Sequence, residues 1–341
     1  MQTSRTDWVK FILDRFIWVI IAVVFLFFAI RAQGFFTGLN MINILMHASV
    51  LGLMVIGQTI CLLSGNFDLS AEGTLSLVTT LAAWMMVSKE AWSGGGGWEL
   101  HPLIVIPLIL ILGAGIGWFN GFLITRIGMN NFIVTLAMQL VLRGIAFTIT
   151  MGLYISGTPV LFNWLGAGRL GRVPVQIFFT AIAFVVFNYF LKSSRFGRQL
   201  YAVGGNKDAA HASGFSPKKT ITIAYVLSGF LAAVAGWMLL GRIGESTTQL
   251  GAGLTLETVG ASVIGGVALS GGYGSVGGAL AGVMLLSVID NGLNLMEVDP
   301  FWVNGIRGFI ILVALAIESQ KFRYKPKRVL AVEKDSPLVT D

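Results

Sequence analysis

The stretch GGNKDAAHASGF, residues 204–215, lies in the middle of a polar interruption running from Lys192 to Lys219, in a chain that is otherwise mostly apolar. It predicts a short helix over Lys207–Ser213. Asn206 precedes it as an N-cap, whose side chain can accept from an unpaired backbone N–H. Asp208 falls in the first turn, where a carboxylate meets the positive end of the helix dipole. Ala209, Ala210 and Ala212 favour the helix, and His211 and Ser213 complete it. Gly214 can take the left-handed conformation past the last turn, and Pro217 prevents continuation. Gly204 and Gly205 lead into it, and Lys207 opens it. Two turns of helix are not stable alone in water, so this one needs a surface. Either it packs on its own chain or it docks a partner.

The rest of the chain says what it interrupts. Of 341 residues, 55% are hydrophobic and 11% charged, and the mean hydropathy is +0.80. Soluble domains carry about 25% charged residues. The deficit, with long apolar runs, predicts an all-α polytopic membrane protein. Ten spans of roughly 17–25 residues are expected: 16–33, 41–63, 70–88, 103–125, 131–151, 174–191, 221–241, 255–270, 273–295 and 301–318. The eighth and ninth are glycine-rich with a very short link, which predicts broken or re-entrant segments. The first reads as an uncleaved span rather than a signal peptide, because no clean small-residue cleavage site follows it.

Charge gives the orientation. With the N-terminus inside, the inner segments hold 16 Lys and Arg and the outer segments 5. The positive-inside rule therefore places both termini, and the 192–219 loop, in the cytoplasm. The net charge of +7 is explained by the same rule. No basic stripe with interleaved aromatics points to nucleic acid. Residues 88–102 form an outer loop, with Trp92 and Trp98 at interfacial positions. Cys61 is the only cysteine, and His47, His101 and His211 are scattered, so no metal site is expected.

Ionisable groups inside spans are costly unless paired or hydrated. Asp68, Glu72, Arg143, Glu257, Asp290 and Arg307 are of this kind. They line a solute path or join helices as ion pairs. SGNFDLS, residues 64–70, is too polar for continuous lipid-facing helix. Asp68 there either caps the third span or marks a helix break, with Asn66 and Ser70 beside it. Arg143 is expected to pair with a carboxylate or with carbonyls. Glu257 reads as near an outer end, and Asp290 and Asn291 as polar helix contacts. Residues 272–277 formally contain GxGxxG, but without a βαβ unit the glycines predict close packing and a tight turn. Spans two to five and seven to ten make a plausible repeat, with SGNFDLS and GGVALSGGYGS (265–275) as rough counterparts.

DAAHASG, residues 208–214, resembles the acidic-Ala-Ala-x-x-x-Gly signature of ATP-binding-cassette importer permeases. GQTICLLSGNFDLSAEG (57–73), NGFLITRIGMNNFIVTLAMQLVLRGIAF (120–147), FGRQLYAVGGNKDAAHASGF (196–215), YVLSGFLAAVAG (225–236), LETVGASVIGGVALSGGYGSVGGALAG (256–282) and NGL (291–293) extend the resemblance over almost the whole chain. They are similar to the ribose-type branch, which imports monosaccharides and related compounds. Two departures stand out. Asn66-Phe67 replace the Gly-Ile usual in that branch, and Ala71-Glu72 replace Val-Gly.

The resemblance implies a transmembrane permease domain over 1–320, a cytoplasmic basic tail over 321–341, and a coupling role for Gly204–Gly214. It implies no cofactor in this chain, because ATP and Mg belong to a partner ATPase; the chain itself has no GxxxxGK[ST]. It further implies a second permease subunit, identical or paralogous, and a periplasmic or tethered binding protein docking on 152–173 and 242–254, in a bacterial inner membrane. For a neutral sugar, amide and aromatic groups suit the path: Gln58, Asn120, Asn131, Phe132 and Gln139. A gradient-driven carrier using Asp68, and an importer of nucleosides, inositols or quorum signals, are the competing readings.

Overall fold

The computed structural model describes residues 3–88 and 97–323; Lys89, Trp92 and the tail from 324 onward lie outside the described residues. The chain is all-α apart from two pairs of two-residue strands. Its helices are α1 (Thr3–Arg31), α2 (Gly38–Leu63), α3 (Ala71–Met86), α4 (Pro102–Phe122), α5 (Asn131–Thr150), α6 (Val160–Ala167), α7 (Val175–Ser193), α8 (Arg195–Gly205), α9 (Lys207–Ala212), α10 (Pro217–Ile243), α11 (Leu254–Ile264), α12 (Val276–Leu295) and α13 (Pro300–Arg323). A π-helical turn, Leu123–Ile127, extends α4. Strand β1 (Ile155–Ser156) pairs antiparallel with β4 (Glu245–Ser246), and β2 (Arg169–Leu170) with β3 (Val173–Pro174).

Among the described residues, six helices are long and apolar enough to cross a membrane: α2, α4 with its π turn, α5, α7, α10 and α12. Shorter apolar stretches are Ile17–Arg31, Leu254–Ile264 and Pro300–Ala316. The protein is a polytopic membrane protein. Its bundle is built around α2 and α10, which pack on each other and are buried along most of their lengths. The outward faces of α5 and α7 carry exposed Leu140, Val141, Ile182 and Val185, the pattern of helices that meet lipid.

The eighth expected span departs most from continuous helix. α11 has 11 residues, which reach only about 16 Å at 1.5 Å per residue. Residues 265–275 after it are non-helical, with Gly266, Gly271, Gly272 and Gly274 at positive φ. The third span is also short, at 16 residues. In each case irregular chain makes up the difference: 64–70 before α3 and 244–253 before α11.

Those two irregular stretches belong to a repeat, α2–α5 against α10–α13. α10 packs on α3 and α4 as α2 packs on α11 and α12, and α3 packs on α5 as α11 packs on α13. The breaks lie at opposite ends of the bundle. Gly65 faces Gly204, beside α9, whereas the Gly244 carbonyl accepts from Thr158, beside α6. The repeat is therefore inverted. The counterpart of SGNFDLS is 244–253, not GGVALSGGYGS, which joins α11 to α12 instead. The mismatch arises because the halves correspond in connectivity and packing rather than in residue type.

Candidate functional site

The 204–215 stretch is built as a helix closed at both ends. The Asn206 side chain accepts from the backbone N–H groups of Asp208 (3.0 Å) and Ala209 (2.9 Å). At the other end Gly214 sits at φ +81, with its N–H on the His211 carbonyl (2.9 Å) and the Phe215 N–H on the Ala210 carbonyl (3.0 Å). This is the Schellman closure. α9 itself covers Lys207–Ala212, one residue shorter than the sequence expectation, because Ser213 becomes its C-cap. Only Ala210 is buried; Lys207, Asp208, Ala209, His211, Ala212, Ser213 and Gly214 face outward. α9 thus rests on its own chain through one methyl group and leaves the rest of its surface free.

Behind α9 lies a junction of bare backbones. A methyl added at Gly204 would fall on the Leu63 carbonyl oxygen and 2.6 Å from the Gly272 nitrogen. One added at Gly271 would lie 2.7 Å from the Gly65 Cα, and one at Gly272 the same distance from the Gly205 Cα. The Gly272 N–H donates to the Leu63 carbonyl at 3.0 Å. Burial pushes the Tyr201 phenol up, so it keeps its proton and donates to the Gly274 carbonyl at 2.8 Å. Three chain segments therefore meet with no side chain between them: the end of α8, the end of α2, and the loop before α12.

From this junction the α2 break climbs into the bundle, held by polar groups from three other helices. Asn131 donates to Asn66 (3.0 Å), and Asn66 donates to the Ser64 carbonyl and hydroxyl. The Asp68 carboxylate accepts from the Ser70 backbone N–H (3.0 Å), the Ser70 hydroxyl (2.6 Å) and the Ser228 hydroxyl (2.6 Å). Asn120 donates to the Ser70 hydroxyl (2.7 Å), and the Tyr225 hydroxyl to the Phe67 carbonyl (2.6 Å). Asn66, Asp68, Ser70 and Asn120 are all buried. Asp68 therefore both turns the chain into α3 and ties the break to α10. Backbone that leaves a helix at this depth needs such partners, because lipid supplies none.

One turn further, two ion-pair groups follow. Arg143 of α5 donates to Glu72 at 2.8 Å, and the other Glu72 oxygen accepts from the Thr255 N–H (3.1 Å) in the first turn of α11. Glu72 thus links three helices. Arg307 of α13 faces Glu257 and lies 2.9 Å from Asp290. Glu257 is buried, not interfacial. The pairs are repeat-related: each joins a carboxylate in the first turn of the short helix to an arginine on the last helix of its half.

The expected path residues thus divide. Asn66 pairs with Asn131, Asp68 and Ser70 cluster with Asn120, and Glu72 pairs with Arg143, three successive contacts along one stretch, while Glu257 belongs to the neighbouring ion group. Asn291 exchanges two amide hydrogen bonds with Asn40 (2.8 and 2.9 Å), joining α12 to α2. Phe132 is 52% exposed on α5. Gln58 is buried in α2, and its amide atoms have no partner among the described residues. Tyr225, Ser228 and Thr255 went unnamed at the sequence level, although Tyr and Ser in the apolar run YVLSGF are a visible signal.

The family described as the permease component of a branched-chain amino acid transport system matches residues 40–315. The chain belongs to this permease family. The permease is 34% identical over 312 residues to the ribose import permease of Escherichia coli K12, covering 89% of this chain and 91% of that one. The Bacillus subtilis ribose import permease is 35% identical over 295 residues, with 86% and 88% covered. The Escherichia coli K12 L-arabinose permease is 32% identical over 313 residues, with 92% of each covered. No solved structure matches. The permease is a transport subunit, not an enzyme.

The hydrogen-bond pattern around Asp68 makes a prediction. Asp68→Asn keeps an acceptor for Ser70, and the Ser228 hydroxyl can turn to accept from the new amide. Uptake by this variant is expected to stay within a few-fold of wild type. Asp68→Ala leaves three donors without an acceptor, at about 1–3 kcal/mol for each buried orphan, and is expected to lose uptake and membrane yield. Loss of uptake in a well-expressed Asp68→Asn would instead mark Asp68 as a proton or ion carrier.

Proposed function

We propose that this permease is the membrane subunit of an ATP-driven bacterial importer for a monosaccharide or related polyol. It sits in the inner membrane with ten crossings and both termini in the cytoplasm. The observation that carries the reading is α9, a doubly capped helix anchored by one buried alanine, joined through bare glycine backbones to the end of α2. A helix this well ended and this little packed is suited to fit a partner's cleft. Gly204–Gly214 form that dock and its root, and a separate ATPase supplies ATP and Mg. A second permease subunit completes the pathway. A binding protein delivers the solute to 152–173 and 242–254, where Tyr154, Val160 and Trp164 are exposed. The sugar assignment rests on the ribose and arabinose named for its relatives. The family's description favours a second reading, a branched-chain amino acid.

The test compares wild type and Gly214→Val. An added Cβ at Gly214 has nothing within 4 Å, so the variant meets backbone strain at φ +81 rather than a clash. Tagged protein at equal expression is extracted in mild detergent and its partners identified by mass spectrometry. An ATPase recovered with wild type and depleted with Gly214→Val is the expected result, with uptake lost in parallel. Equal recovery and equal uptake would sink the assignment. Competition of labelled ribose uptake by unlabelled arabinose and by leucine separates the two substrate readings.

A further inference from the structure

Beyond the coupling dock and the Asp68 network, a cleft of about 360 Å³ lies between α2, α10, α11, α13 and the 247–252 stretch. This is within the roughly 300–1,000 Å³ of small-molecule sites. Its polar lining is His47, Arg242, Thr247, Gln249, Glu257 and Arg307, and an aliphatic side is made by Leu51, Leu239 and Leu250. We infer that this cleft is the subunit's outward-facing transit site for a neutral, hydroxyl-rich solute of monosaccharide size. The inference rests on the importer reading and on its inside N-terminus, which places the Ile243 end of α10 outside.

The chemistry follows from how the charges are used. Arg307 faces both Glu257 and Asp290, so its charge is matched within the wall. Arg242 donates to the Met46 carbonyl (3.2 Å) and has no carboxylate partner among the described residues. Its remaining N–H groups can only donate, whereas His47, Thr247 and Gln249 carry both donors and acceptors, so together they can answer sugar hydroxyls, which both give and accept hydrogen bonds. A zwitterionic amino acid would need a carboxylate free for its ammonium group, and Glu257, the carboxylate among the described lining residues, already faces Arg307. No Phe, Tyr or Trp lines the cleft. Contact with a sugar ring is therefore weak, as transit requires: a solute must leave a passage site as readily as it enters. The wall itself is irregular. Successive turns run from Thr247 to Leu250, Gln249 to Ala252 and Gly251 to Leu254. Non-helical chain at this depth is tolerated where it is buried in protein or lines a wet cavity.

Two measurements test the inference in the assembled transporter. The first is thiol labelling. Cys61, the only cysteine, is buried, so Thr247→Cys and Gln249→Cys in a Cys61→Ala background can be probed with a membrane-impermeant maleimide on intact spheroplasts. Labelling from outside is expected. Labelling only after permeabilisation, or none, overturns the inference. The second is uptake of labelled ribose and arabinose at graded concentrations. Arg242→Gln and Gln249→Ala are expected to raise KM, on the order of tenfold for the arginine, while ATPase recovery in the pull-down stays normal. Unchanged KM in both variants overturns the inference. Wild-type uptake judges the importer reading by itself. If wild type imports neither sugar, that reading falls, and the labelling pattern still decides whether the cleft opens outward.

Discussion

Arg307→Met is expected to lower stability by about 3–5 kcal/mol, the cost of removing one partner from a buried ion group. Among the described residues Arg307 is the one cation paired with Glu257, and it lies 2.9 Å from Asp290; the carboxylate side chains are 5% and 4% exposed. Methionine fills much of the volume but leaves two carboxylates without a counter-charge. The thermal midpoint in detergent and the yield of folded protein should both drop. Adding Glu257→Gln and Asp290→Asn removes the orphaned charges and should restore most of the loss, because a buried ion group replaced whole is often close to neutral. A stable Arg307→Met single variant would mean the group contributes nothing to the fold. A triple variant that folds but does not import would assign the charges to transport instead.

Gly204→Ala is expected to cut uptake by about tenfold or more, from the roughly 1–3 kcal/mol cost of overpacking. Its new methyl would fall on the Leu63 carbonyl oxygen and 2.6 Å from the Gly272 nitrogen. Both are backbone atoms, so no side-chain rotation relieves the clash; α8 must separate from α2 or from the loop before α12. Gly205→Ala is the matched control. An added Cβ there meets nothing within 4 Å, and alanine stabilises a helical position by about 0.5–1 kcal/mol over glycine. It should cost far less uptake than Gly204→Ala at equal expression. The contrast separates a contact effect from a helix-propensity effect one residue apart. Equal behaviour of the two variants would rule out the junction as the link between α9 and the bundle.

The membrane class and α9 with both caps were legible in the sequence, because apolar runs and capping residues are local signals. The six long apolar helices fall on expected spans. Arg143 was expected to pair with a carboxylate or with carbonyls, and Glu72 is its carboxylate partner. Ser70 was legible as a neighbour of Asp68, but its distant partner Ser228 was not. Ser228 is 160 residues away, and only the crossing of α2 and α10 brings it near. Glu257 read as interfacial because it follows the end of α10 closely in sequence. The non-helical descent of 244–253 carries it inward, and a hydropathy pattern does not register depth gained by extended chain. The glycine junction was hidden for a related reason: glycines read as permissive in sequence, whereas which backbones they let touch is a property of the packed bundle.

The irregular stretch before α11 also changes the barrier a solute faces. An outward-opening cleft, as proposed, would bring the high-dielectric phase as far down as Glu257 and Arg307. Below them, Ser262 faces Thr59, and further down Gly271 and Gly272 sit against Gly65 and Gly204. The insulating layer that must be parted is then only the inner part of the bilayer thickness. In the proposed orientation the bare-backbone junction forms its cytoplasmic edge, directly behind the helix proposed to receive the motor's stroke. Placing the thin seal next to the lever shortens the distance over which nucleotide-driven motion must act.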